Sequence, residues 1–426
     1  MRITRTRNAR LAQWGKLALL VSLAASLLLP LPGCRKRKER RKKTASVEFC
    51  GDLHKLDRTL LSCSRKADLE PLAAFENLKN LDLSGFSDRS LLADLTPLAT
   101  LTQLEVLRVS RSWVADLQPI AGLTNLRELY VGYTEIGSLE PISGLPVLEK
   151  LGIQNCPNIT DAVLPAIAGL STLTELHLYG NRVSDLSSLA ALVRLEKLQA
   201  SRTDLRDLSF AASLESLREL DVSSTKVVDL APLAGLKLTE LDLAATKVVD
   251  LAPLAKLPSL STLDLGHAKA SDVTPLGDLD NLADLTLLSD AIDLSPLAKL
   301  KSLRVADFSA GPGLALLETG GQSRLEEVTL RGQLADKSAV DLRPLVRHQG
   351  LKKVALRKMR IADAGPLAQL TRLETLELSL VDIKDVGPLT RISTLKEIIY
   401  GTSGQISEEQ SKELREAIPG LKIRSQ

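Results

Sequence analysis

Leucines recur along this chain in one spacing, L-x-x-L-x-L, from Leu78 almost to the end. The six-residue phrase starts at Leu78, Leu104, Leu126, Leu148, Leu173, Leu195, Leu217, Leu238, Leu260, Leu282, Leu303, Leu325, Leu351, Leu373 and Leu395. Most starts lie 21 or 22 residues apart, with longer steps before Leu104, Leu173 and Leu351. Alternation of apolar and polar residues at period two predicts a strand with one buried and one outward face. After the strand the chain must turn, and D-L-x-P-L serves this, found from Asp68, Asp94, Asp229, Asp250, Asp293 and Asp341, and with Ile or Val from Asp116 and Asp272. This predicts a turn into a short helix: the Asp carboxylate can satisfy first-turn N–H groups, and Pro is tolerated where the N–H has no intrahelical partner. Two neighbouring copies are identical over ten residues, TKVVDLAPLA from Thr225 and again from Thr246.

A strand and a short helical segment repeated every 21 or 22 residues give a leucine-rich-repeat solenoid. The predicted fold is α/β: a horseshoe with a parallel concave β-sheet and short 3-10 or helical convex segments. Such a chain buries its core only between neighbouring repeats, so 426 residues need not mean several compact domains. The DLxPLxxLxxL phrase at this spacing resembles internalin-type leucine-rich repeats and their phosphatase-regulatory relatives, from Asp68 to about Tyr400. That resemblance implies a ligand-binding surface and leaves the ligand open. The family places Asn where the chain leaves the strand. Only Asn181 matches here; Ser112, Thr134, Cys156, Thr203, Thr225, Thr246 and Ser403 hold the position instead, predicting a hydroxyl ladder to the same end. Phe86, Met359 and Val381 cannot take part, which predicts less regular ends.

Two stretches depart from the pattern. Residues 309–323 are Gly-rich and lack DLxPL; we read them as a degenerate repeat, with a hinge or protruding loop as alternatives. The insert Ile159–Leu170 is read as a true convex helix. Caps are required at both ends of an open solenoid. Residues 45–77 form the first cap, 78–403 the repeats, and 404–426 a helical second cap in which Ser407 and Gln410 make a capping box.

Charge is segregated. Arg2, Arg5, Arg7, Arg10 and Lys16 precede an apolar run, Leu17–Leu31, that is shorter than the ~20 residues of a spanning helix. This is the layout of a secretory signal peptide, residues 1–33. Leu31-Pro32-Gly33-Cys34 resembles a bacterial lipobox, implying cleavage after Gly33, lipid on Cys34 and an outer-membrane anchor facing either side. Residues 34–44, with the basic run Arg35–Lys43, then read as a lipidated tether lying on anionic headgroups rather than a nucleic-acid site. Without these segments the chain has an excess of nine acidic groups. In an exported protein Cys50 and Cys63 are expected to pair.

Candidate chemistry lies on the outward strand positions. Tyr130, Tyr133, His177 and Tyr179 take three of the chain's four tyrosines, which favours a protein or glycan partner. Glu219, Asp221, Glu240, Asp242 and Asp264 make an acidic strip for basic partners. Their spacing also suits a cation or a paired-carboxylate hydrolase, but shallow repeated positions supply no pocket walls. Lys353, Arg357 and Lys358 read as a solvated basic patch. No phosphate loop, hydrolase elbow or zinc spacing is present, so the expectation is a monomeric non-enzyme without metal or cofactor, binding through its concave face. Self-association in the envelope, or regulation of an envelope enzyme, are the alternatives.

Overall fold

The computed structural model describes residues 46–63, 68–85, 92–289, 292–333, 338–401 and 406–425. The signal segment, Cys34, the basic tether, Phe86 and Ser403 lie outside the described residues. Each of the fifteen repeats carries a strand of one parallel sheet, usually three residues long, as in Glu219–Asp221, Glu240–Asp242 and Thr262–Asp264. Register is strict: Leu220, Leu241 and Leu263 stack as direct neighbours, and so do the residues flanking them. Each such leucine is at most 2% exposed, which favours folding by about 1.5–3 kcal/mol per side chain.

Behind the strands run 3-10 helices with Pro in the first turn, such as Ala231–Leu233 and Ala252–Lys256. The Asp of each DLxPL phrase sits one residue before the helix cap and accepts the N–H two residues on. Asp229 receives Ala231 N–H and Asp250 receives Ala252 N–H, both at 2.8 Å. Among the described residues no helix is long and apolar enough to cross a membrane.

The sheet is longer than the repeats read from the sequence. Leu60–Ser62 adds a strand before Asn80–Asp82, and Lys422–Ser425 adds one after Glu397–Tyr400, so both end segments contribute a rung. An antiparallel hairpin, Ser46–Phe49 with Asp52–Lys55, precedes the first rung. Cys50 and Cys63 are disulfide-bonded, with Cα atoms 5.9 Å apart. At the other end helix Glu408–Ala417 starts with the Ser407/Gln410 capping box and buries Leu414, with Ile418 just beyond its end.

One reading is corrected: the insert after Ile159 forms a seven-residue 3-10 helix, Asp161–Ile167, rather than an α-helix. In the Gly-rich stretch, residues 310–318 form an α-helix, α1 (Ala310–Glu318), in place of the short 3-10 turn, within a repeat whose strand Val305–Ser309 keeps the register. Its glycines disfavour a helix intrinsically. Packing decides instead: Leu316 and Leu317 are buried, and a side chain at Gly313 would strike Phe308, its Cβ lying 2.8 Å from the Phe308 Cβ.

The hydroxyl ladder differs in detail from the expectation. Asn181 does span two rungs, donating to Ile153 O at 2.9 Å and accepting from Cys156 N–H at 2.8 Å. Thr225 and Thr246 instead donate to Val222 O and Leu243 O of their own strands, each at 2.6 Å. A hydroxyl is too short to reach the next rung, so it closes the end of its own strand. Cys156 is buried beside Thr134, and burial pushes its thiol pKa up. Where Met359 and Val381 replace the hydroxyl, the strands run on for nine residues, Lys353–Ile361 and Thr375–Ile383.

Candidate functional site: the aromatic rungs of the concave face

Parallel register sets Arg108, Tyr130, Gly152, His177 and Gln199 in one outward row. Gly152 leaves a notch in that row, and Tyr130 lies across it: a Cβ at position 152 would come within 2.7 Å of Tyr130 Cδ1. The ring therefore reaches His177, with centroids 6.1 Å apart and planes tilted by 57°. On its other side the Arg108 guanidinium stands 5.2 Å from the ring centroid. Gln154 fills a similar notch at Gly132, where a Cβ would lie 2.4 Å from the Gln154 Cδ. Its Oε1 is buried without a hydrogen-bond partner.

An ionic lattice in the neighbouring outward row, Glu128, Lys150 and Glu175, flanks these rings. Arg108 pairs with Glu128 at 2.7 Å, Lys150 lies 3.4 Å from Glu175, and His177 Nε2 lies 2.6 Å from Glu175 Oε1. Burial alone would raise the Glu175 pKa, but His177 and Lys150 outweigh it and the net shift is downward. Burial, with help from Glu128 and Glu175, pushes the Tyr130 phenol up. Tyr179 is also raised, by burial first and then by its hydrogen bond with Tyr133.

Tyr133 is not a strand residue. It has a left-handed backbone (φ 60°), as do Arg111 and Asn155 one rung to either side, and Arg111 stacks over its ring at 5.0 Å. Trp113, two residues beyond Arg111, keeps 41% of its surface exposed on the same edge. It escaped the sequence reading because it lies beyond the strand Val106–Arg108, where period two no longer applies. The structure thus brings Tyr130 with His177 and Tyr133 with Tyr179, each pair two rungs apart, across the rung that carries Gly152 and Asn155.

The acidic positions lie farther along. Asp221, Asp242 and Asp264 are direct neighbours in one row, Glu219 and Glu240 in the other. Glu219 is paired with Lys197 at 2.5 Å. Each Asp turns one oxygen to its own backbone, accepting Ser223, Ala244 or Gly266 N–H at 2.7–2.9 Å. They therefore shape the strand exit as well as charging the surface. Asp242 is pushed up to about 6, first by burial and then by Asp221 and Asp264; Asp264 is raised too, burial again leading. Among the described residues no three His, Cys, Asp or Glu side chains are grouped to hold a metal ion. The remaining histidines are scattered: His348, for example, is buried with its ring nitrogens against Leu317 O and Gln322 O.

No protein-family model and no curated protein matches this chain. Solved structures do. A leucine-rich-repeat protein of Leptospira interrogans is 21% identical over 86% of this chain and 93% of its own, with a TM-score of 0.61. The functional domain of InlJ from Listeria monocytogenes, described as including a cysteine ladder, is 17% identical over 82% of this chain and 76% of its own (TM-score 0.54). TLR13 in complex with ssRNA13 is 18% identical over 86% of this chain and 65% of its own (TM-score 0.58). The chain has the leucine-rich-repeat fold that the internalins share. At these identities the likeness is one of fold.

Proposed function

We propose that this chain is a binding protein whose concave face takes a protein partner, with a glycan as the second reading. The carrying observation is the aromatic cluster: Tyr130 locked between Arg108 and Gly152 against His177, beside Tyr133 and Tyr179. Rings held in advance lose little entropy on binding, which is what makes such residues dominate interfaces. Both sides of Tyr130 are already occupied, so a sugar ring cannot stack flat on it; this favours protein over glycan. The acidic strip from Glu219 to Asp264 suits a partner that is basic beyond its aromatic contact. We further propose an exported, non-enzymatic lipoprotein, anchored through Cys34 to a bacterial outer membrane and monomeric in itself.

The test places a photo-crosslinking residue at Tyr179 and, for comparison, at exposed Val249 away from the sheet, in cells making the full chain. A cross-linked species from position 179 alone, reduced about tenfold or more by Tyr130→Ala, supports the reading. Equal products from both positions, or a Tyr130→Ala variant that cross-links undiminished, rejects this site. A product of twice the chain mass would favour self-association.

A further inference from the structure

The repeats near the C-terminus carry a second group of polar residues, in register but chemically unlike the aromatic rungs. Ser309, Arg331, Arg357 and Ser379 are successive neighbours across four strands, so two arginines stand on adjacent rungs, with a serine on either side. Like charges on neighbouring rungs need compensation, and here it is uneven. Arg331 is held by Asp307, its Nε donating to Oδ1 at 2.8 Å and Nη2 to Oδ2 at 2.5 Å. Arg357 reaches only Glu377, through Nη2 at 3.4 Å, and Glu377 is already engaged by Lys353 at 2.7 Å. Among the described residues, three cations thus share two carboxylates in ion pairs, and Glu327, the register neighbour of Lys353, makes none within 4 Å. The Arg357 Nε is buried with no hydrogen-bond partner.

An Nε–H without an acceptor leaves Arg357 loosely held, while about a third of its side chain (34%) stays exposed, so its Nη edge is open to an acceptor with two oxygens. We propose that Arg331 and Arg357, with Ser309 and Ser379 beside them, form an oxyanion-binding subsite for a carboxylate or phosphate group. The subsite does not rest on the aromatic cluster: it lies on other rungs and serves any ligand that presents such a group. It also corrects the reading of Lys353 and Arg357 as a merely solvated patch, since both are tied to Glu377.

The experiment follows the arginine Nε–H resonances of the repeat chain by NMR during titration with sodium acetate, sodium phosphate or sodium chloride at matched ionic strength. A saturable shift of the Arg357 signal with acetate or phosphate, absent with chloride, is expected, and the ion that saturates at lower concentration names the chemistry. Arg331→Gln should raise the half-saturation concentration about tenfold, the loss of one charge-assisted hydrogen bond. An Arg357 signal that stays unmoved, or responds equally to chloride, overturns the proposal. The unsubstituted protein decides this even if the variant fails to fold.

Discussion

The rungs around Asp221–Asp264 and those around Lys353–Ile383 solve one problem, how a strand ends, in opposite ways. In the first group an Asp carboxylate bends the backbone, a left-handed residue (Ser224, Ala245 or His267) follows, and in the two TKVVDL copies a Thr hydroxyl closes on the strand's last free carbonyl. In the second group the left-handed residues, Lys358 and Leu380, interrupt the strand without ending it. Met359 and Val381 are register partners and buried, and Arg360 pairs with Asp382 at 2.8 Å. Leu378 O, the counterpart of Leu243 O, accepts from Gly401 N–H of the next rung at 2.9 Å. A hydroxyl accompanies the strand that stops in the two TKVVDL copies, but it is not required: Ala268 holds that position after Thr262–Asp264, which also stops at three residues.

Swapping that residue in both directions is the strongest way to break the comparison. Met359→Thr should destabilise by about 2–3 kcal/mol, because it empties apolar volume and buries a hydroxyl where no carbonyl waits. Thr246→Val should cost about 1 kcal/mol, since Leu243 O loses the hydroxyl but keeps the residue-246 N–H at 3.2 Å. Denaturant unfolding measures both; a Thr246→Val change within error of zero would show that the hydroxyl contributes nothing to closing the strand. The smallest expected effect concerns charge. The Asp242 pKa of about 6 exceeds its unfolded value, so the native state holds the proton more tightly, and stability falls as pH rises from about 4 to about 6. Asp242→Asn keeps an acceptor for Ala244 N–H and removes the repulsion. It should stabilise by about 1 kcal/mol near pH 7.5, allowing for solvent screening, and the gain should vanish below pH 4. A gain that persists at pH 3.5 would assign the effect to something other than ionisation.

Much of the site was legible because the repeat is periodic: once Leu129 and Leu176 face inward, Tyr130 and His177 must face outward, on either side of the Gly152 rung. Tyr133 was misplaced because period two ends where the backbone turns left-handed, and no residue type there announces it; Arg, Tyr, Asn, Ser, Ala and His all occupy that position. The Asp residues of the acidic strip were read as surface charge, yet their first bond is to their own backbone. That bond depends on local geometry that composition does not carry.

The sequence by itself determined the solenoid, its rung spacing and which side chains face the concave surface, because alternation and capping act over a few residues. The tertiary structure decided what those side chains do together. Gly152 matters only because Tyr130 of the preceding rung lies across it, α1 forms only because Gly313 packs on Phe308, and Arg357 lacks a partner only because Glu377 is shared with Lys353. The first and the last join residues on different rungs, about twenty or more positions apart, and the second packs a helix on the strand just before it. Contacts of that kind are fixed by the stacking of repeats and by no local propensity.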